Sequence, residues 1–373
     1  MNFVVSSKYL FQQLSMIHGV VPSSSTIPIQ LDFLFIAQNN VLHVTATDGE
    51  TTISTVLQEV QIKEEGSVAI PAKMLMETLK TFADVPLTFI IDARWNITLA
   101  SDRGKYKLAG HDPSEYTRIP EMEETGSFTI EAITLSTAIS KTVFAVANDD
   151  LRPVMNGVLF QMGADGINFV ATDAHKLVKY RRLDVSAEQP GEVIVPKKPL
   201  NVLRGMLGNN EFPVQVQFSP KLIRFAFQNI EVFSRLIDGK YPNYEVVIPK
   251  VNPNKLVVDK VAFQNAIRRV MIFSNKSTFQ VRLRLTGSEL YISAEDLDFN
   301  NEAMEQLTAR YEGDDMEIGF NSRFLSEMLG NIDGEHISLD LSEPNRPGIL
   351  APVDYQRDIE EIIMLVMPIT LGS

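Results

Sequence analysis

Hydrophobic and polar positions along this chain follow a pattern that repeats about every 125 residues. Each repeat opens with a short apolar strand that leads into an amphipathic helix, at 3–5, 128–130 and 256–258. Between these openings, strict alternation of apolar and polar residues, as at 214–218 and 337–341, predicts half-buried antiparallel strands. The pattern therefore predicts three tandem domains of one design, each with two helices packed on antiparallel sheets, which is an α+β architecture.

A second strand runs directly into a second helix in each repeat, at 68–70, 193–195 and 317–320. Pro71 and Pro196 are 125 residues apart, and we predict that each is the first residue of its helix, where the missing N–H costs no hydrogen bond. In the third repeat Asn321 is predicted to cap the helix N-terminus.

Domain boundaries are predicted where proline, glycine and charged residues collect, at 119–126 and 248–254. The predicted domains are 1–125, 126–252 and 253–373. The sequence does not decide whether the terminal Gly372 and Ser373 are native.

Charge is distributed unevenly between the predicted helices and the rest of the chain. The formal net charge is −13, which argues against a protein that coats nucleic acid by bulk electrostatics. The six predicted helices nevertheless carry eleven basic residues and two acidic ones, and basic residues recur three or four positions apart, opposite an apolar face. Cations on exposed helix faces, without interleaved aromatic residues, favour loose, sequence-independent attraction to the phosphates of a polyanion over base readout or a single-strand stacking platform. The alternative is that lysine and arginine are simply good helix formers on exposed faces.

Sequence signals for catalysis, metal binding and cofactor binding are missing. The chain has no cysteine, its five histidines form no local ligand pair, and no phosphate-binding loop or nucleophile-elbow motif occurs. Asp48 and Asp173 occupy equivalent Thr-Asp positions of two repeats, where a turn-capping role is favoured over acid–base catalysis; the third repeat has 290–295 at this place. We therefore predict no enzyme, no cofactor and no metal site. The lack of a signal peptide, an apolar span and cysteine predicts a cytoplasmic protein that does not enter membranes.

Four stretches resemble the bacterial DNA polymerase III beta subunit family, the sliding clamps. They are 151–160 (LRPVMNGVLF), 171–177 (ATDAHKL), 236–244 (LIDGKYPNY) and 366–371 (VMPITL), and the resemblance extends over the whole chain. It implies a replication processivity factor that encircles duplex DNA as a head-to-tail homodimer, a six-domain ring with twelve helices around the hole. The implied partners are the DNA polymerase III catalytic subunit, the clamp loader and other proteins with clamp-binding peptides. An alternative is a three-domain adaptor that binds peptides without encircling DNA.

The resemblance and the helix charges together give three sets of candidate residues. The DNA-facing set is Lys73, Lys80, Lys141, Arg152, Lys197, Lys198, Arg204, Lys260, Arg268 and Arg269. The dimer-interface set is Tyr106 and Leu108 in the first domain, against Ile272 and Phe273 in the third. The peptide-groove set, between the second and third domains, is Met155, Thr172, Ala174, His175, Leu177, Pro242, Val247, Phe324, Leu365, Met367, Pro368, Ile369 and Leu371.

Two departures from the family pattern affect these sets. The loop at 21–26 is serine-rich where some relatives carry a basic DNA contact, so no DNA contact is placed there. The end of the groove, at 369–371, lacks the arginine that precedes the last leucine in some relatives, so the peptide preference is expected to differ.

Overall fold

The computed structural model describes residues 1–117, 121–123, 125–353 and 358–371. Part of the predicted boundary at 119–126, and the terminal Gly372 and Ser373, lie outside the described residues. The helices are α1 (Ser7–Ile17), α2 (Ala72–Leu79), α3 (Ala132–Thr142), α4 (Lys197–Leu207), α5 (Lys260–Val270) and α6 (Ser322–Asn331).

The strands follow one another along the chain with short turns between most neighbours. They are β1 (Asn2–Ser6), β2 (Asp32–Gln38), β3 (Val41–Thr47), β4 (Thr51–Leu57), β5 (Val60–Glu64), β6 (Gly66–Pro71), β7 (Pro86–Ile91), β8 (Asn96–Ala100), β9 (Lys105–Ala109), β10 (Gly126–Glu131), β11 (Gly157–Gly163), β12 (Gly166–Thr172), β13 (Lys176–Arg182), β14 (Gly191–Pro196), β15 (Pro213–Phe218), β16 (Leu222–Phe227), β17 (Ile230–Arg235), β18 (Asn254–Asp259), β19 (Gln280–Thr286), β20 (Glu289–Asp296), β21 (Asn301–Thr308), β22 (Arg310–Glu312), β23 (Met316–Asn321), β24 (His336–Leu341), β25 (Gly348–Pro352), β26 (Glu360–Val366) and β27 (Pro368–Ile369).

The chain divides into two compact units. The first comprises residues 1–136 and 198–236 and contains a five-stranded sheet, β5-β1-β7-β8-β9, and an eight-stranded sheet, β10-β15-β16-β17-β4-β3-β2-β6. The larger sheet is continuous because β17 pairs antiparallel with β4, which joins strands of two sequence repeats. The predicted domain bounds, set by the repeat period, are therefore not the bounds of this unit, and they stay a prediction.

The second unit comprises residues 137–197 and 237–373. Its nine-stranded sheet has the order β14-β11-β12-β13-β26-β25-β24-β18-β22, and its five-stranded sheet has the order β21-β20-β19-β23-β27. The pairing of β13 with β26 joins strands of the second and third repeats. All strand pairs of both units are antiparallel among the described residues, as the alternating pattern predicted.

The helices lie where the sequence placed them, with differences at their ends. The predicted apolar stripes of α1, α4 and α5 are buried; in α5, for example, Phe263, Ile267 and Val270 are buried. In α2 Leu75 and Leu79 are buried as predicted, whereas Phe82 lies beyond the end of the helix and is only half-buried. The Asn321 cap is confirmed, since its side chain accepts hydrogen bonds from the first backbone N–H groups of α6. The prediction that Pro71 and Pro196 begin helices was wrong by one residue: each is the last residue of a strand, because the ring fixes φ without preventing an extended ψ.

Candidate peptide groove and basic helix faces

The repeated Thr-Asp turns have the predicted capping role. The Asp173 Oδ1 atom accepts hydrogen bonds from the backbone N–H groups of His175 at 2.9 Å and Lys176 at 2.8 Å. In the first repeat, Asp48 Oδ1 accepts from the equivalent N–H groups of the turn between β3 and β4. A carboxylate that accepts hydrogen bonds from two backbone N–H groups stabilises the turn, which supports the capping interpretation over a catalytic one.

The second-repeat turn differs from the first because a lysine is buried under it. Only 6 % of the Lys176 side chain is exposed, and its Nζ atom lies 2.7 Å from the Asp173 carboxylate and 3.1 Å from that of Glu327 on α6. The same Nζ lies 4.6 Å from the ring centroid of Phe324, and the His175 ring stacks on this ring at 5.8 Å. This cluster, the Lys176 cluster, brings together two predicted groove residues, His175 and Phe324, by ion pairing and ring stacking.

A buried apolar layer lies beside this cluster. Leu177 on β13 and Leu365 on β26 are directly paired in the sheet and share one hydrophobic cluster with Tyr241 and Tyr244. Burial raises the pKa of Tyr244 to about 12, and its neutral hydroxyl donates to the Gln161 side chain at 2.9 Å. Leu177 and Leu365 are therefore buried packing residues in the single chain, and their role in a peptide groove stays a prediction.

The C-terminal segment, which carries five of the predicted groove residues, lies beside the turn that carries His175. The Met367 N–H donates to the His175 carbonyl at 2.9 Å, and β27 then pairs with β23. Gly319 on β23 leaves the space that this segment fills: a Cβ atom there would lie 2.7 Å from the Ile369 carbonyl oxygen and 2.8 Å from a methyl of Leu371. The predicted C-terminal residues are thus fixed beside the turn that carries His175.

The remaining predicted groove residues differ in exposure. Val247 and Met367 present exposed side chains, whereas Met155 and Pro242 are half-buried. Thr172 is buried, and its hydroxyl donates to the Lys176 carbonyl at 2.8 Å, so its observed contact shapes the turn. Ala174 has a positive φ of 74°, a backbone conformation that this hydrogen-bonded turn holds.

The predicted DNA-facing residues fall into two groups. Four of them form ion pairs within a unit: Lys141 with Asp333, Arg152 with Asp149, Lys198 with Asp48, and Arg269 with Glu305. The other six make no ion pair within the ranges that the structure describes, and they are Lys73, Lys80, Lys197, Arg204, Lys260 and Arg268. These six are free to attract an external anion.

The predicted interface residues lie next to strands at the edges of their sheets. Tyr106 and Leu108 are on β9, the last strand of its sheet; the Tyr106 side chain is exposed, and Leu108 is buried. Ile272 and Phe273 lie on the 3-10 turn after α5, are both exposed, and neighbour β21, another edge strand. An unpaired strand edge presents free backbone donors and acceptors and is a template for pairing with another chain.

Lys176 and Glu327 were not among the predicted groove residues, although Lys176 pairs with Glu327 and contacts the Phe324 ring. A signal for Lys176 was present, since this lysine stands three positions after a turn aspartate, at the start of a strand. Glu327 carried no such signal, because its contact with Lys176 depends on how α6 packs. Among the residues described, no cluster of histidine and acidic residues could hold a metal ion, and no helix is long and apolar enough to span a membrane.

Comparison with known proteins assigns the family. Models of the N-terminal, central and C-terminal domains of the DNA polymerase III beta subunit match residues 1–120, 129–243 and 245–367. The chain is 29% identical to the beta sliding clamp of Pseudomonas putida, with 100% of both chains covered, and 28% identical to that of Halalkalibacterium halodurans, with 96% and 98% covered. A crystal structure of the sliding clamp of Pseudomonas aeruginosa bound to griselimycin has a TM-score of 0.93 at 27% identity, with 100% of both chains covered. The chain therefore belongs to the DNA polymerase III beta subunit family, and its fold is three tandem clamp domains.

Proposed function

We propose that this protein is a DNA sliding clamp, a replication processivity factor that encircles duplex DNA and tethers DNA polymerase III and other replication and repair proteins. The observation that carries the proposal is the contrast in charge within a chain of three clamp domains. The chain is acidic overall, yet six helix cations, Lys73, Lys80, Lys197, Arg204, Lys260 and Arg268, have no ion-pair partner among the described residues.

The charge contrast suits sliding better than tight binding. Scattered lysine and arginine side chains attract phosphates without reading bases, and each such contact is weak at physiological salt. A protein that holds DNA by enclosure needs only these contacts, because release requires opening a protein interface whereas sliding breaks a few phosphate contacts at a time. The net negative charge of the remaining surface disfavours adsorption of DNA elsewhere.

Enclosure requires a closed assembly, and we propose a head-to-tail homodimer. In this assembly β9 of one copy pairs with β21 of the other, with Tyr106 and Leu108 packed against Ile272 and Phe273. Two such seams close a two-fold ring, so neither β9 nor β21 of either copy remains unpaired for growth into a filament.

The candidate groove would hold the polymerase and other partner proteins on the clamp by binding a short peptide of each. Met367, Phe324 and His175, next in the fold to the buried Leu177 and Leu365, suit an extended peptide that carries a glutamine and apolar side chains, and methionine adapts to several partners. The polymerase catalytic subunit, the clamp loader and other clamp-binding proteins would compete for this groove. The protein itself would catalyse no reaction, and ring opening would be performed by a separate ATP-driven loader in the cytoplasm.

The seam is tested by sedimentation equilibrium of the wild type and of the double variant Ile272→Ala, Phe273→Ala. We expect a wild-type dimer of the 41.8 kDa chain and a monomeric variant, because both side chains are exposed in the single copy and would be buried at the seam. In primer extension with polymerase and loader, the same variant should lose processivity and retain peptide binding. A wild type that is monomeric at all concentrations, yet binds peptides, would favour the adaptor instead.

A further inference from the structure

The turn between β20 and β21 presents two large apolar side chains to solvent. Leu297 is 85 % exposed and Phe299 is 73 % exposed. Met304 on β21, together with Ile272 and Phe273 on the neighbouring 3-10 turn, extends the exposed apolar surface. Because these exposed apolar side chains lie on elements that contact one another, they indicate an interaction surface.

The turn is held in a fixed conformation. Asp296 is buried, and its Oδ1 atom accepts hydrogen bonds from the Asn275 side chain and from the Asp298 N–H, both at 3.3 Å. The Asn275 amide also donates to the Asp298 carboxylate at 3.3 Å. A pre-organised turn loses little conformational entropy on docking, so its two apolar side chains are presented ready for a partner.

Charge indicates which surface this turn meets. Asp298 and Glu302 are exposed on the turn and on β21, whereas Lys105 and Lys107 are exposed on β9. Two copies of β21 would repel each other, and β21 and β9 would attract. The partner of this surface is therefore the β9 edge of a second copy.

The direction of pairing then places the turn. If β9 and β21 pair antiparallel, as all pairs described within both units do, the start of β21 lies beside the end of β9 at Ala109. A pocket of about 400 Å³ adjoins that end, and its lining includes Ile27, Ile29, Trp95 and Gly110 together with the acidic residues Asp112 and Glu115. Gly110 follows β9 directly, and its N–H donates to the Trp95 carbonyl at 3.0 Å, which fixes the pocket to the strand end.

We propose that Leu297 and Phe299 of one copy insert into this pocket of the other copy and so form an apolar anchor at each seam of the ring. This inference rests on the proposed homodimer and adds a contact that the predicted interface residues do not include. Ile27, which is 51 % exposed in the single copy, would be covered by the turn. The anchor would sit at one end of the paired strands, where it resists fraying of the seam.

Sedimentation equilibrium across a concentration series tests the anchor. We expect the double variant Leu297→Asn, Phe299→Asn to raise the dimer Kd at least about 100-fold, because each ring loses two apolar anchors. Ile27→Asn, on the pocket side, should raise Kd at least about tenfold, and the combination should be less than additive. The matched control is Leu151→Asn, since Leu151 is 91 % exposed and lies away from both β9 and β21 in sequence; its Kd should equal that of the wild type.

The outcomes separate the anchor from the proposed function. A wild-type dimer whose Kd is unchanged by the turn variant or by Ile27→Asn would overturn the anchor and leave the ring standing. A wild type that is monomeric throughout would overturn both. Because these side chains are exposed in the single copy, their replacement leaves the fold of each copy intact, which circular dichroism verifies.

Discussion

Replacement of Lys176 by methionine should destabilise the protein more than the equivalent change at an exposed lysine. The change keeps an unbranched, largely apolar side chain and removes the ammonium group, so the carboxylates of Asp173 and Glu327 lose their cation and the Phe324 ring loses its cation–π contact. Removing one partner of a fully buried ion pair costs about 3–5 kcal/mol.

The structure sets the expected loss below that range. Glu327 is 49 % exposed, so water can solvate its carboxylate, and Asp173 keeps the two backbone N–H donors of its turn. We therefore expect Lys176→Met to lower the free energy of unfolding by about 1–3 kcal/mol. Peptide affinity should fall with it, because His175 and Phe324 are positioned by the same cluster.

Lys198→Met is the matched control. Lys198 pairs with Asp48 at the equivalent turn of the first repeat, but its side chain is 52 % exposed, so its loss should cost at most about 1 kcal/mol. Urea denaturation of both variants gives the difference from the shift in midpoint at constant m-value. Equal midpoints for the two variants would refute the argument that burial, rather than the Asp-turn geometry alone, makes the Lys176 cluster strong.

Three further predictions concern other parts of the molecule. The hydrogen bond from Arg182 holds the pKa of Asp184 below its ordinary value, so this pair stabilises the fold at neutral pH and the stabilisation is lost as pH falls through the lowered pKa. Asp184→Asn should therefore cost up to about 1 kcal/mol in neutral urea denaturation and nothing in strong acid; an equal loss at both would contradict the assignment. Gly319→Ala should displace the C-terminal segment and weaken peptide binding at least about tenfold by fluorescence polarisation, since the new Cβ has no room; unchanged affinity would count against a groove beside that segment. Arg268→Gln should reduce the slope of log K for DNA binding against log salt concentration by about one phosphate contact. Arg269→Gln should reduce it by less, because Arg269 is paired with Glu305; equal slopes for the two variants would mean that ion pairing does not decide which cations contact DNA.

Local features of the fold could be read from the sequence because they depend on neighbouring residues. The Asn321 cap and the Asp173 turn rest on hydrogen bonds within a few positions of the chain. The period of 125 residues and the apolar stripes of the helices are patterns of the sequence itself. Pro71 was misplaced by one residue because proline is compatible with both a strand end and a helix start.

Contacts between distant segments could not be read in this way. The sequences of β4 and β17 do not show that these two strands pair, because many strands with the same alternation of apolar and polar residues could pair equally well. The contact of Glu327 with Lys176 depends on how α6 packs. The exposure of Leu297 depends on the conformation of the turn between β20 and β21. The groove residues came from family resemblance, and their role in binding stays a prediction.

Retention on circular DNA tests the central claim most directly. The labelled protein is loaded onto a nicked circular plasmid by a clamp loader with ATP, and the complex is isolated by gel filtration at high salt. A sliding clamp should stay with the circle, because salt weakens the phosphate contacts and leaves the closed ring intact, and it should leave the DNA when a restriction enzyme makes the circle linear. Retention that is unaffected by linearisation, or loss from the intact circle as soon as the salt is raised, would contradict encirclement.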